Sequence, residues 1–189
     1  GLLIRRSWVR SPEGAPPRNQ RRFGAAFSSQ STPKYAIHYV ECVELNFSGQ
    51  DLQRAMLSRA ALLDAIFHNT NLSESNLSHA NLRNADFQRA NLANANLAHA
   101  HLPFSDLREA VLTGAFAHDA DFFCANLQMA DLSGASLCRA NFEGANLRDA
   151  NLECADLRGA ILVGALLGGA NLDCADLRGA TLPDGEVSQ

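Results

Sequence analysis

Ala80-Asn81-Leu82-Arg83-Asn84-Ala85-Asp86-Phe87-Gln88-Arg89-Ala90-Asn91-Leu92-Ala93-Asn94-Ala95-Asn96-Leu97 repeats one pattern every five residues: a small residue, Asn or Asp, Leu or Phe, then two variable positions. The pattern extends in both directions, from Phe47 to Leu182. Counting in fives gives 28 central positions, of which 27 are Leu or Phe; only Ala117 departs, with Phe116 beside it. A helix would turn such a residue about 140° at each step and scatter the column around its circumference. A strand would alternate it between two faces. A period of five therefore excludes both. It suits a chain that turns a corner every five residues, so that four corners close a square coil of 20. On that reading 28 units make about seven coils, stacked at roughly 4.8 Å into a rod about 34 Å long. Leu and Phe point inward, and the small residue sits where the walls crowd the axis. Asn and Asp suit the corners, because their side chains bond nearby backbone groups.

Through its repeated Ala-Asn-Leu and Ala-Asp-Leu triplets the chain resembles the pentapeptide repeat family over about Leu45 to Leu182. The resemblance implies an all-β fold, a right-handed quadrilateral β-helix. It does not imply one function. The quinolone-resistance members dimerise through a C-terminal module, of which no helix is visible here; Pro183 to Gln189 is short and polar and leaves the last coil thinly covered.

Adding 20 repeatedly sorts the central residues into four faces. The first runs Phe47, Phe67, Phe87, Leu107, Leu127, Leu147, Leu167, and the second is all Leu from Leu52 to Leu172. The third runs Leu57, Leu77, Leu97, Ala117, Leu137, Leu157, Leu177; the fourth, Leu62, Leu82, Leu102, Phe122, Phe142, Leu162, Leu182. Where Phe122 and Phe142 enter, the first face has switched to Leu, which keeps the core volume roughly constant. Ala117 leaves space that either Phe116, bending inward, or Phe122, leaning across, is expected to fill.

Residues 1–34 have no periodicity. They carry Arg5, Arg6, Arg10, Arg18, Arg21, Arg22 and Lys34 against Glu13 alone, whereas the remainder holds nine Arg, no Lys and 19 acids. The whole chain nets −4. The two parts therefore face different surroundings. The run Arg21-Arg22-Phe23-Gly24-Ala25-Ala26-Phe27-Ser28-Ser29 is similar to the end of a mitochondrial presequence, Arg- and Ser-rich and poor in acids. A disordered basic tail is the other reading. The expected organisation is a basic tail or targeting segment at 1–34, an N-terminal cap at 35–45, the solenoid at 46–182 and a C-terminal tail at 183–189.

No phosphate loop, nucleophile elbow or His-Glu-x-x-His pattern occurs. No catalytic residue, metal ligand or cofactor is therefore assigned, and the chain reads as a non-enzyme. One outward column, Arg59, His79, His99, Asp119, Arg139, places two His on neighbouring coils. A straight column wraps three ligands around one ion poorly, so it reads as a solvated polar ladder. Five Cys, an odd number, argue against a disulfide framework, although the spacing of Cys154 and Cys174 permits a bond. No apolar run is long enough to span a membrane.

The fourth face differs. Its outward positions Leu63, Pro103, Phe104, Phe123, Cys124 and Val163 are apolar, and exposed apolar side chains on neighbouring rungs mark an interface. With Arg5, Arg6, Arg10, Arg21 and Arg22 of the tail, these are the expected protein-contact residues. The alternative is that the tail or cap folds back over them. The first functional expectation is a structural subunit docking onto a larger, mitochondrial assembly, with plastid or cytoplasm as other locations and nucleic acid or an acidic surface as a possible contact of the tail. The alternative is a DNA mimic binding a type II topoisomerase, as gyrase-protecting family members are thought to do. Against it, Arg83, Arg89, Arg108, Arg148, Arg158 and Arg178 interrupt the acids.

Overall fold

The computed structural model of the chain describes residues 45–189. The backbone pairs with itself at a constant offset of 20. Asn46 bridges Ile66, Asp51 bridges Asn71, Met56 bridges Asn76 and Ala61 bridges Asn81, all parallel, and the series continues to Ile161 and Thr181. An offset of four pentapeptides at every step means a four-sided coil laid on its own copy. Each side contributes the same bonds: Leu57 N–H donates to the Asn76 carbonyl at 2.7 Å, Arg59 N–H to Ser78 at 2.9 Å, and Asn76 N–H to Ala55 at 2.9 Å.

Each corner is a tight turn. Ala60 N–H donates back to the Leu57 carbonyl at 3.1 Å, and Ala80 N–H to Leu77 at 3.0 Å. The third residue of the turn has positive φ throughout, from Gly49 at 67° through Asn84 at 56° to Gly179 at 70°. That sign is what a type II turn demands, and Gly and Asn accept it most readily. Arg59, His99, Phe104 and Met129 occupy it as well, without glycine's freedom, with φ of 59°, 56°, 60° and 59°. The residue before the central Leu stabilises the corner from outside. Asn76 Oδ1 accepts from Ser78 N–H at 3.0 Å, and Asp131 Oδ1 from Ser133 N–H at 3.0 Å. The same side chains link successive coils: Asn171 Nδ2 donates to Asn151 at 3.1 Å, and Asn151 Nδ2 to Asp131 at 3.2 Å. Asn serves better than Asp within such a ladder because it both donates and accepts.

The central residues and the Ala two positions before them form one continuous core, fully buried from Leu57 to Leu162. Phe47, Phe67 and Phe87 stack at centroid distances of 5.0 and 4.8 Å, and Phe122 and Phe142 at 4.9 Å. Thr70, Ser75 and Ser105 replace Ala at the small position. The hydroxyls of Thr70 and Ser105 each donate to a turn carbonyl at 2.7 Å, of Phe47 and Leu102; that of Ser75 finds no partner among the described residues.

One expectation needs correction. Phe116 does not bend into the space at Ala117: it stands outside, 54% exposed, because its position precedes the central residue and points away from the axis. The C-terminal tail leaves the last coil thinly covered, as expected, and it also pairs with that coil. It folds back antiparallel on the last coil, Thr181 bridging Val187, with Gly179 N–H donating to Ser188 and Ser188 N–H to Ala180, both at 2.8 Å. This pairs one side of the terminal coil and leaves Leu167, Leu172 and Leu177 on the other sides partly buried. Cys154 and Cys174 are joined by a disulfide, with Cα atoms 4.6 Å apart, the single bond that their spacing permits. The 20-residue step brings the two Cys onto one column, so the bond clips two coils together.

Candidate functional site

The fourth face carries the expected apolar contact residues, and the structure divides them. Phe104 and Phe123 come together, rings edge-on at 5.5 Å and 87°. Phe104 is the more prominent, 47% exposed, at a corner where positive φ turns its side chain outward. Cys124 is exposed next to Phe123. Pro103, in contrast, is buried. Its carbonyl accepts from Asn84 N–H at 3.0 Å, so it forms the floor of the patch and not a contact on its surface. Leu63 and Val163 stand apart. Along the same row the order is Leu63, Arg83, Pro103, Phe123, Glu143, Val163, so a charged residue separates each from the aromatic pair. Arg83 lays its guanidinium over the Phe104 ring, 5.3 Å from the centroid. The patch is thus a compact cluster of Phe104, Phe123 and Cys124 edged by a cation, and not a stripe along the rod. Arg5, Arg6, Arg10, Arg21 and Arg22, and the cap except Leu45, lie outside the described residues.

Apart from Met56 and the exposed Phe116, the third face is largely polar and carries Arg59, Arg139, Arg158 and Arg178. His79 and His99 stack at 4.8 Å and 12°, as the column requires. His118 was not part of that column. It precedes Asp119 by one residue, and its ring meets His99 edge-on at 5.3 Å and 82°. Two side chains of one turn reach the same neighbour, which a search restricted to a single column overlooks. Asp119 is gripped by Arg139, whose Nε and Nη2 donate to its two oxygens at 2.8 and 2.7 Å. This pairing holds the Asp119 carboxyl below its ordinary range, with His99 and His118 adding to the effect.

Elsewhere charge is arranged by the same geometry. Arg54–Glu74 and Arg89–Glu109 join successive coils at 2.7 and 2.8 Å. Asp156–Arg158 pairs within one turn, at 2.8 Å. Asp176, bonded likewise to Arg178, has its pKa lowered to about 2. Of the arginines that interrupt the acids, none lies on the second face, where Arg54 alone accompanies Asp51, Glu74, Asp131, Glu153 and Asp173. Among the described residues no helix is long and apolar enough to cross a membrane.

The pentapeptide repeats family model matches eight copies within residues 65–102, 90–127, 125–162 and 150–184. No curated protein matches the chain. Among solved structures, HetL, a pentapeptide repeat protein involved in heterocyst differentiation regulation from the cyanobacterium Nostoc, is 34% identical over 76% of this chain and 78% of its own, with a TM-score of 0.35. QnrB1, a plasmid-mediated fluoroquinolone resistance protein, is 25% identical over 72% of each chain, with a TM-score of 0.48. A pentapeptide repeat protein of the Arabidopsis thaliana thylakoid lumen is 31% identical over 63% of this chain and 69% of its own, with a TM-score of 0.24. Proteins of this kind fold as right-handed quadrilateral β-helices. The five-residue period, the 20-residue ladder and the match over residues 65–184 together establish that this chain belongs to the pentapeptide repeat family.

Proposed function

We propose that the protein is a non-catalytic scaffold subunit, a rod of about seven coils that docks onto a larger protein assembly through its fourth face. The observation that carries this reading is the Phe104–Phe123 pair, two aromatic rings held edge-on at the outer surface of adjacent coils. Aromatic side chains on a rigid frame lose little conformational freedom on binding, and interfaces are enriched in them. Arg83 beside Phe104 suits a partner that offers a carboxylate or carbonyl at the rim of an apolar pocket. The basic residues at 1–34, with the tail or targeting role and boundaries given above, supply delivery to a mitochondrial host and a second contact with acidic surfaces.

The test uses the full chain expressed in its native host at normal levels. Phe104→Asp with Phe123→Asp should abolish co-purification of a defined set of subunits while the melting temperature stays unchanged. Asp tolerates the left-handed backbone at residue 104 at least as well as Phe does, so folding is not the variable. Full retention of those subunits would refute the reading.

The DNA-mimic reading has one observation in its favour: the acids of the second face are not interrupted beyond Arg54. A supercoiling assay with gyrase distinguishes it. Inhibition that disappears on Asp131→Asn with Glu153→Gln and Asp173→Asn would favour mimicry over scaffolding.

A further inference from the structure

We propose that His99, His118 and Asp119 form a binding site for a divalent transition-metal ion, zinc being the ion that the donors suit best. The three side chains each offer a ligand atom, and these atoms lie within 4.8 Å of one another. They come from two coils that the backbone locks together, since His99 N–H donates to the His118 carbonyl at 3.0 Å. His99 and Asp119 both project from left-handed corner positions, with φ of 56°. His118 approaches from the side of the column, and that sideways approach supplies the third direction a straight ladder lacks.

A tetrahedral zinc site with bonds of about 2.0–2.1 Å needs ligand atoms about 3.3 Å apart. His99 Nδ1 and Asp119 Oδ2 are already 3.9 Å apart. The remaining closure is within reach of side-chain rotation at a surface where His99 is exposed and the other two are half-exposed. Two imidazoles and one carboxylate favour zinc, cobalt, nickel or copper over magnesium and calcium, which prefer all-oxygen shells. Water completes the coordination. His79, stacked on His99, orients that ring without needing to bind. Arg139 opposes the ion, because it occupies both oxygens of Asp119. Its side chain is 60% exposed and can swing away when the ion arrives.

The test titrates tag-free full-length protein with cobalt(II), followed by visible absorption, and with zinc, followed by calorimetry. One saturable equivalent is expected per chain. His99→Asn, which keeps a residue tolerant of the left-handed corner, and His118→Ala should each weaken binding by at least about tenfold. His101→Asn, on the neighbouring face where His101 pairs with Asp121 at 2.9 Å, should leave it unchanged. Arg139→Gln should tighten it by releasing Asp119. Melting temperatures in chelator show that each variant is folded. Absence of saturable uptake, an unchanged affinity in His118→Ala, or weaker binding in Arg139→Gln would overturn the proposal.

Discussion

Leu132→Ala tests the register of the whole rod. Leu132 is fully buried, and its neighbours on the same wall, Leu112 and Leu152, are buried equally. Its backbone is tied to the next coil through N–H to Asn151 at 2.7 Å, and its carbonyl accepts from Ala135 at 3.1 Å. The substitution keeps those bonds and removes only side-chain carbon. Transfer of the lost groups costs about 2 kcal/mol at ~0.8 kcal/mol per methylene. The walls are laddered on both sides and cannot collapse inward, so a cavity remains and raises the loss to about 3–4 kcal/mol. For a domain of this size that corresponds to a fall in melting temperature of roughly 10 °C. Ser133→Ala, one residue on and outside, should stay within about 0.5 kcal/mol. Leu172→Ala, where the central residue is only partly buried, should fall between the two. Thermal unfolding followed by far-ultraviolet circular dichroism measures all three. Equal losses for Leu132→Ala and Ser133→Ala would refute the inward column.

Ser75→Ala should stabilise the rod by up to about 1 kcal/mol in urea unfolding, since the Ser75 hydroxyl is buried without a partner among the described residues. Stability should be flat in pH above the ordinary carboxylate range and fall as pH drops below about 4: Asp106, Asp119, Asp131, Asp156 and Asp176 have folded pKa values below their unfolded ones, Asp176 at about 2, so protonation favours the unfolded chain. Melting curves between neutral pH and pH about 2 check this sign. Non-reducing peptide mapping should recover Cys154 linked to Cys174, and Cys154→Ser should lower stability by about 3 kcal/mol, the loop-closure value for a ring of this length.

The sequence displays the fold because its central residues face the axis at every step, and Leu or Phe is required there 27 times. The Asn and Asp that flank them act at the corners as their chemistry dictates, Asn96 Oδ1 accepting from Ala98 N–H at 3.0 Å. The left-handed third turn position was also written in the chain, in Gly49, Gly114, Gly134 and Gly144 with Asn69, Asn84 and Asn94 at the same phase, although the five-residue apolar column alone does not reveal it. At Gly114 a side chain would also meet Asn94 Oδ1 at 2.7 Å. The outer surface is less legible. Whether Pro103 is buried depends on the coils above and below it, and the apolar row breaks at Arg83 and Glu143, which the face assignment already contained. His118 meets His99 only because turn positions of adjacent coils overlap sideways. The fold-back of Val187 follows from the unpaired edge of the last coil, which no repeat pattern encodes.

The most direct test of the scaffold account compares wild-type protein with the Phe104→Asp, Phe123→Asp variant in quantitative co-purification from the native host, at matched abundance and melting temperature. The account predicts that a stoichiometric set of subunits accompanies the wild type and is lost from the variant. The same subunits at the same stoichiometry on both proteins would contradict it.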